Sequence, residues 1–183
     1  MPRIQLPILS EMNAEQRRVH DETAAGKRGR VPAPILAWLK SPEFAGRAQK
    51  LGEFVRFDTS LPPRLSELAM LITARFWTAQ YEWFSHKQQA LKAGVDPAVI
   101  DDIAHRRVPR FKNQGERAVY DFSMSLHETH AVPDEMYRAV VDAVGEQGAV
   151  ELVGILGYYT LIAMTLNAFE VGVPEGFPAE LEP

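Results

Sequence analysis

The stretch PPRLSELAMLITARFWTAQYEWFSHKQQALKAG, Pro62 to Gly94, decides how the rest of the chain is read. Its prolines suit the first turn of a helix, where a missing N–H costs nothing, and Gly94 is a natural C-cap. Between them Glu67, Leu71, Arg75, Ala79, Glu82 and His86 recur at steps of four, four, four, three and four. If the segment is one helix, that spacing lays all six along one face. The face carries two carboxylates, a guanidinium and an imidazole, while Leu68, Ile72, Phe76 and Trp83 make its flanks apolar. Should the helix bend near Thr78, Glu82 and His86 still stand one turn apart.

Helical signals continue on both sides of this stretch. Pro2 and Pro7 make residues 1 to about 12 an extended arm. Asn13 with Gln16 reads as a capping box for NAEQRRVHDETAA, which ends at Gly26. GKRGRVPAP is a loop with three cationic residues; a short helix follows over Pro34–Leu39, and Ser41-Pro42 opens another. Asp96-Pro97 caps PAVIDDIAHRR, Asn113 to His130 reads as helix, and Pro133-Asp134 opens a segment ended by Gly145. A final helix spans about Gly148 to Phe169. No stretch alternates long enough for a strand. The chain reads as an all-α, compact helical bundle in a single domain: arm and first helix over 1–32, core over 33–175, extended tail over 176–183.

The bulk numbers narrow the function. The 183 residues suit one domain, and a net charge of −4 with scattered Lys and Arg builds no stripe for nucleic acid or an anionic membrane. The absence of cysteine removes disulfides, thiolate catalysis and cysteine metal sites. The N-terminus has no long apolar run and does not read as a signal peptide, so a cytoplasmic location is expected. VELVGILGYYTLIAMTLNAF, Val150 to Phe169, falls short of the roughly 20 uninterrupted apolar residues of a membrane span. It reads as a core helix, buried in the protein or at a subunit interface.

Two readings of the Glu82–His86 pair compete. As a surface ion pair it contributes only about 0.3 kcal/mol, Tyr81 and Trp83 are ordinary aromatics, and Arg75 is solvated. As proton chemistry, a carboxylate raises the basicity of His86 and fixes its tautomer. Arg75 would then fork a substrate carboxylate, and Glu67 would orient His86 or carry a second proton. Trp83 and His127 are further candidate substrate contacts. His127 and His130 in LHETH are three apart, a weak metal signal. A metal site of His86, Glu82 and Glu67 has few ligands, and no metal is expected. Tyr158 and Tyr159 read as core residues, one of them donating a hydrogen bond into the interior.

SELAMLITARFWTAQYEWFSHKQQALKAGV resembles the carboxymuconolactone decarboxylase family, which includes the alkylhydroperoxidase D proteins. EQGAVELVGILGYYTLIAMTLNAFEVGVPEG resembles the C-terminal region of its cysteine-free members, and the likeness runs from about Pro34 onward. In the peroxidase branch a glutamate precedes a C-x-x-C pair and a histidine. That glutamate falls on Glu67, the histidine on His86, and the cysteines on Ala79 and Glu82. Disulfide-cycling peroxide reduction is therefore not expected. The resemblance implies an alkylhydroperoxidase D-like bundle, no cofactor, and assembly as a homo-oligomer, trimer or hexamer. It implies a carboxy-lyase acting on a small organic acid or lactone, as in decarboxylation of 4-carboxymuconolactone to 3-oxoadipate enol-lactone. The polar stripe would supply proton transfer through Glu82 and His86 and an oxyanion donor from Arg75 or His86. A small-molecule-binding or assembly protein on the same scaffold is the alternative.

Overall fold

A computed structural model describes residues 2–183, all but Met1. Those residues form eight α-helices and no strand: α1 (Ala14–Ala25), α2 (Ala33–Trp38), α3 (Pro42–Phe57), α4 (Pro63–Phe76), α5 (Gln80–Lys92), α6 (Pro97–Ala104), α7 (Gln114–Thr129) and α8 (Asp134–Ala168). Local chemistry sets most boundaries. Asn13 and Gln16 exchange side-chain-to-backbone bonds of 2.9 and 3.1 Å at the start of α1. Asp96 and Asn113 accept from the backbone N–H of Ala98 and Glu116, each at 3.0 Å. Ser41 precedes α3 without a side-chain cap bond, so Pro42 at the first position carries that start.

The Pro62–Gly94 stretch is two helices, not one. Thr78 takes a left-handed conformation with φ 50° and turns the chain between α4 and α5. That geometry strains a β-branched residue. Arg75 and Arg106 hold it by donating to the Thr78 hydroxyl at 2.9 and 3.1 Å. The two helices fold back on each other. α4 is the centre of the molecule, packed against α5, α6, α7 and α8, with ten of its fourteen residues buried. A helix apolar nearly all round has to be a core helix.

α8 runs for 35 residues but is broken at Gly145, φ 73°, where the sequence ends one segment and begins the next. Its second part lays Leu152, Ile155, Leu156, Ile162 and Leu166 into the core. By length and composition α8 could cross a membrane; 56% of its most apolar window is buried within the protein. The C-terminal tail is extended and strapped across α5. Gln80 accepts from the N–H groups of Glu180 and Leu181 at 3.0 and 3.1 Å and donates to the Leu181 carbonyl at 2.6 Å. Leu181 is buried, and Phe177 packs on Phe84 with ring centres 4.6 Å apart.

Candidate functional site

The α4–α5 turn places Glu67 beside His86. The His86 Nδ1 lies 2.7 Å from Glu67 Oε2. A carboxylate can only accept, so Nδ1 carries the proton and Nε2 holds the lone pair. Arg56, from α3, donates to that Nε2 at 3.2 Å. Glu82 does not bond His86, although one turn separates them: the histidine's acid partner is Glu67. Neither member is a surface group, since Glu82 is 1% exposed and His86 3%.

Both residues line a cavity of about 40 Å³, together with Arg28, Arg56, Tyr158 and Tyr159. That is room for about two or three waters or a carboxylate group. The edge of the Tyr159 ring meets the His86 imidazole, centre to centre 4.9 Å, and Tyr158 stands edge-on to Tyr159 at 5.6 Å. Buried polar atoms here lack protein partners: both Glu82 carboxyl oxygens, both tyrosine hydroxyls, and Nε and Nη2 of Arg28. Elsewhere buried acids are satisfied. Glu151 accepts from the Ser60 N–H and hydroxyl at 2.6 and 2.7 Å, and Glu116 accepts from Arg64 at 2.5 Å. Buried polar groups without partners cost folding free energy. Their concentration in one cavity marks it as built for something other than stability.

The environment pushes two acid–base groups in opposite directions. Burial raises the Glu82 carboxyl well above the ordinary carboxylate range, which favours its protonated form. Burial also lowers His86, with Arg56 and Arg28 adding to the effect and Glu67 opposing it. A neutral imidazole and a carboxyl held toward its acid form thus face one space, which is the arrangement that assigns base and acid. Burial raises the Tyr158 phenol to about 12 and the Tyr159 phenol further, so both stay hydrogen-bond donors.

Three sequence candidates lie elsewhere. Arg75 donates to Thr78 and to the Glu182 carbonyl at 2.8 Å, and lines a separate cavity of about 230 Å³ with Phe76, Arg106 and Tyr120. The helical stripe placed it beside Glu82, but the turn at Thr78 ends that continuity. Trp83 is buried and its Nε1 points to Glu180 of the tail at 3.4 Å. His127 Nε2 meets the Thr73 hydroxyl at 3.1 Å. Its ring stacks on Phe76 at 4.7 Å. None of the three lines the His86 cavity. Sequence reading passed over Arg28 and Arg56, and assigned Tyr158 and Tyr159 to the core. The cationic loop and the paired tyrosines in an apolar helix were the available signals. Among the described residues no three His, Cys, Asp or Glu side chains gather as metal ligands.

Comparison with known proteins bears on the fold. The carboxymuconolactone decarboxylase family pattern matches residues 42–122. No curated protein matches the chain. Among solved structures, the alkylhydroperoxidase AhpD core of an uncharacterized peroxidase-related protein from Ralstonia eutropha JMP134 superposes with a TM-score of 0.77 at 17% identity, over 95% of this chain and 93% of that one. The debrominase Bmp8 in complex with 2,3,4-tribromopyrrole superposes with a TM-score of 0.66 at 18% identity, over 88% of this chain and 85% of that one. Residues 42–122, which hold α3 to α6 and the first part of α7, thus match the carboxymuconolactone decarboxylase family pattern, and the bundle around them has the fold of the alkylhydroperoxidase D-like structures.

Proposed function

We propose that the chain is a cofactor-independent lyase of the carboxymuconolactone decarboxylase type, acting by acid–base chemistry on a small lactone or keto acid. The observation that carries this reading is the shared cavity of His86 and Glu82, shifted toward base and acid forms respectively. In such a reaction the bond to the departing CO2 breaks and its electron pair flows through the conjugated system to a carbonyl oxygen. A hydrogen-bond donor suits that oxyanion, and the unpartnered Tyr158 and Tyr159 hydroxyls are the cavity's donors for it; one well-placed donor contributes about 3 kcal/mol. The protonated Glu82 returns a proton to carbon. Glu67 holds the His86 ring so that its Nε2 can take a proton from solvent water and pass it to the Glu82 carboxylate, which restores the acid.

The resemblance to peroxidase-related folds adds no redox role, because a chain without cysteine has no thiolate to oxidise. The bromopyrrole complex of the debrominase supports a small planar ligand in this scaffold. A non-catalytic binding role has one observation in its favour: Arg56 already engages the lone pair of His86 Nε2. Turnover separates the two. Release of CO2 from 4-carboxymuconolactone and related lactones or keto acids should fall about 10²–10⁴-fold in Glu82→Gln and in His86→Ala with the fold retained. Unchanged turnover in His86→Ala dismisses the lyase reading, and a thermal shift without product favours binding.

A further inference from the structure

The loop joining α1 to α2 lies outside the segment matched by the family pattern, yet it supplies the cavity's Arg28 and, at the exposed rim, Arg30. The loop is anchored. The Lys27 N–H donates to Glu53 at 2.9 Å, and the Lys27 ammonium pairs with Asp58. Arg28 and Arg56 both sit over the Phe57 ring, at 5.9 and 5.3 Å from its centre. Two guanidinium groups thus converge on one aromatic ring and line one cavity with His86. Among the described residues neither forms a salt bridge, and Arg28 Nε and Nη2 are buried with no partner. The nearby carboxyls do not balance them: Glu67 is engaged by His86, and burial favours the neutral form of Glu82. Gly52 keeps the seat open, since a Cβ there would stand 2.7 Å from Arg28 Nη2 and 2.0 Å from the Tyr158 hydroxyl oxygen. Like charges gathered in a partly desolvated recess cost free energy that an anion between them recovers.

We propose that Arg28 and Arg56 form a two-sided clamp for a carboxylate, so that the site takes small organic-acid anions and the α1–α2 loop sets that preference. The proposal rests on the His86 cavity being the ligand site, but not on turnover. Planar guanidinium forks match the two equivalent, negatively charged oxygens of a carboxylate, which an uncharged amide or ester does not offer. The clamp also couples to the histidine, because a bound anion offsets Arg56 and Arg28, which add to burial in holding the imidazole neutral.

Calorimetric titration of the full chain with acetate, pyruvate and uncharged acetamide at fixed ionic strength tests the clamp. Nuclear magnetic resonance of the His86 ring through the same titrations supplies the second readout. Acetate and pyruvate should bind and raise the His86 pKa, and acetamide should do neither. Arg28→Gln should weaken pyruvate at least tenfold and by itself raise the His86 pKa of the free protein. Arg28→Lys, which keeps the charge and loses the fork, should fall between. Equal pyruvate affinity in wild type and a folded Arg28→Gln overturns the clamp, as does acetamide binding as well as acetate. Arg28-dependent anion binding with no turnover of any lactone or keto acid leaves the clamp standing and removes the lyase. Turnover that needs His86 but has the same KM in Arg28→Gln removes the clamp and leaves the lyase.

Discussion

Glu82 carries a folding penalty, because both its oxygens are buried without a donor. Its folded pKa is raised above the ordinary 4.5, so its contribution to stability is complete below that value and is lost as pH rises through the folded pKa. Glu82→Gln should therefore melt close to wild type below pH 4.5 and above it at alkaline pH. A wild type that melts higher than the variant at alkaline pH contradicts the buried, unpaired carboxyl. His86 has the opposite sign. Its folded pKa is lowered, so its contribution holds above the ordinary 6.5 and is lost as pH falls through the folded value. Any turnover should accordingly show an acidic limb below pH 6.5 from His86 and a basic limb from Glu82. Gly52, in the middle of α3, forgoes about 1 kcal/mol of helix propensity. Gly52→Ala should nevertheless destabilise by about 1–3 kcal/mol in thermal unfolding, because the new methyl displaces the rigid Tyr158 phenol. A stabilised Gly52→Ala would mean the phenol has room to move. Glu82 and His86 were legible in the sequence as a pair because they stand one helical turn apart, whereas Glu67 reaches His86 only through the turn at Thr78. Arg28 and Arg56 were not, because their approach is made by tertiary packing that no local pattern encodes.

A single straight helix through Pro62–Gly94 would hold Glu67 and His86, 19 residues apart, about 28 Å from each other. They touch because Thr78 reverses the chain roughly midway between them. The capping signals at Asn13, Asp96 and Asn113 and the break at Gly145 were readable, since each acts within one helical turn. A bend near Thr78 was foreseeable, but its full reversal was not, because a left-handed threonine has no propensity to announce it and is held there by Arg75 and Arg106. Arg75 thereby acquires a positioning part in the fold: it ties the elbow to the tail through the Glu182 carbonyl. The tail in turn covers α5 through Leu181, the Gln80 bonds and the ion pair of Glu180 with Lys87. Burial of one leucine alone contributes about 1.5–3 kcal/mol. Removing residues 177–183 should lower stability by about 2 kcal/mol or more in denaturant unfolding and shift tryptophan emission to the red as Trp83 meets water. An unchanged midpoint and spectrum would show that the strap is dispensable.

For the molecule as a whole, the outstanding surface feature is an apolar face left by α8 and its neighbour α3. Val150 is 73% exposed, with Val153 and Met164 following on the same helix, while α3 presents Leu51 and Phe54. The apolar composition of α8 was evident in the sequence, but which of its faces the protein covers depends on how α3 and α4 pack. The exposed side of α3 also carries Glu43, Arg47 and Lys50, a mixed charged rim that suits a protein partner better than lipid. We propose that a second copy of the chain covers this face, as the family resemblance implies. Sedimentation velocity at tens of micromolar should then show an assembly, and Val150→Glu with Val153→Glu should dissociate it while helical content holds. Both positions lie on the outer side of α8, away from His86, so the charge pair should leave the histidine's nuclear magnetic resonance titration unchanged if the cavity is complete within one chain. A wild type that sediments as a monomer, or a double variant that stays assembled, would remove α8 as the contact.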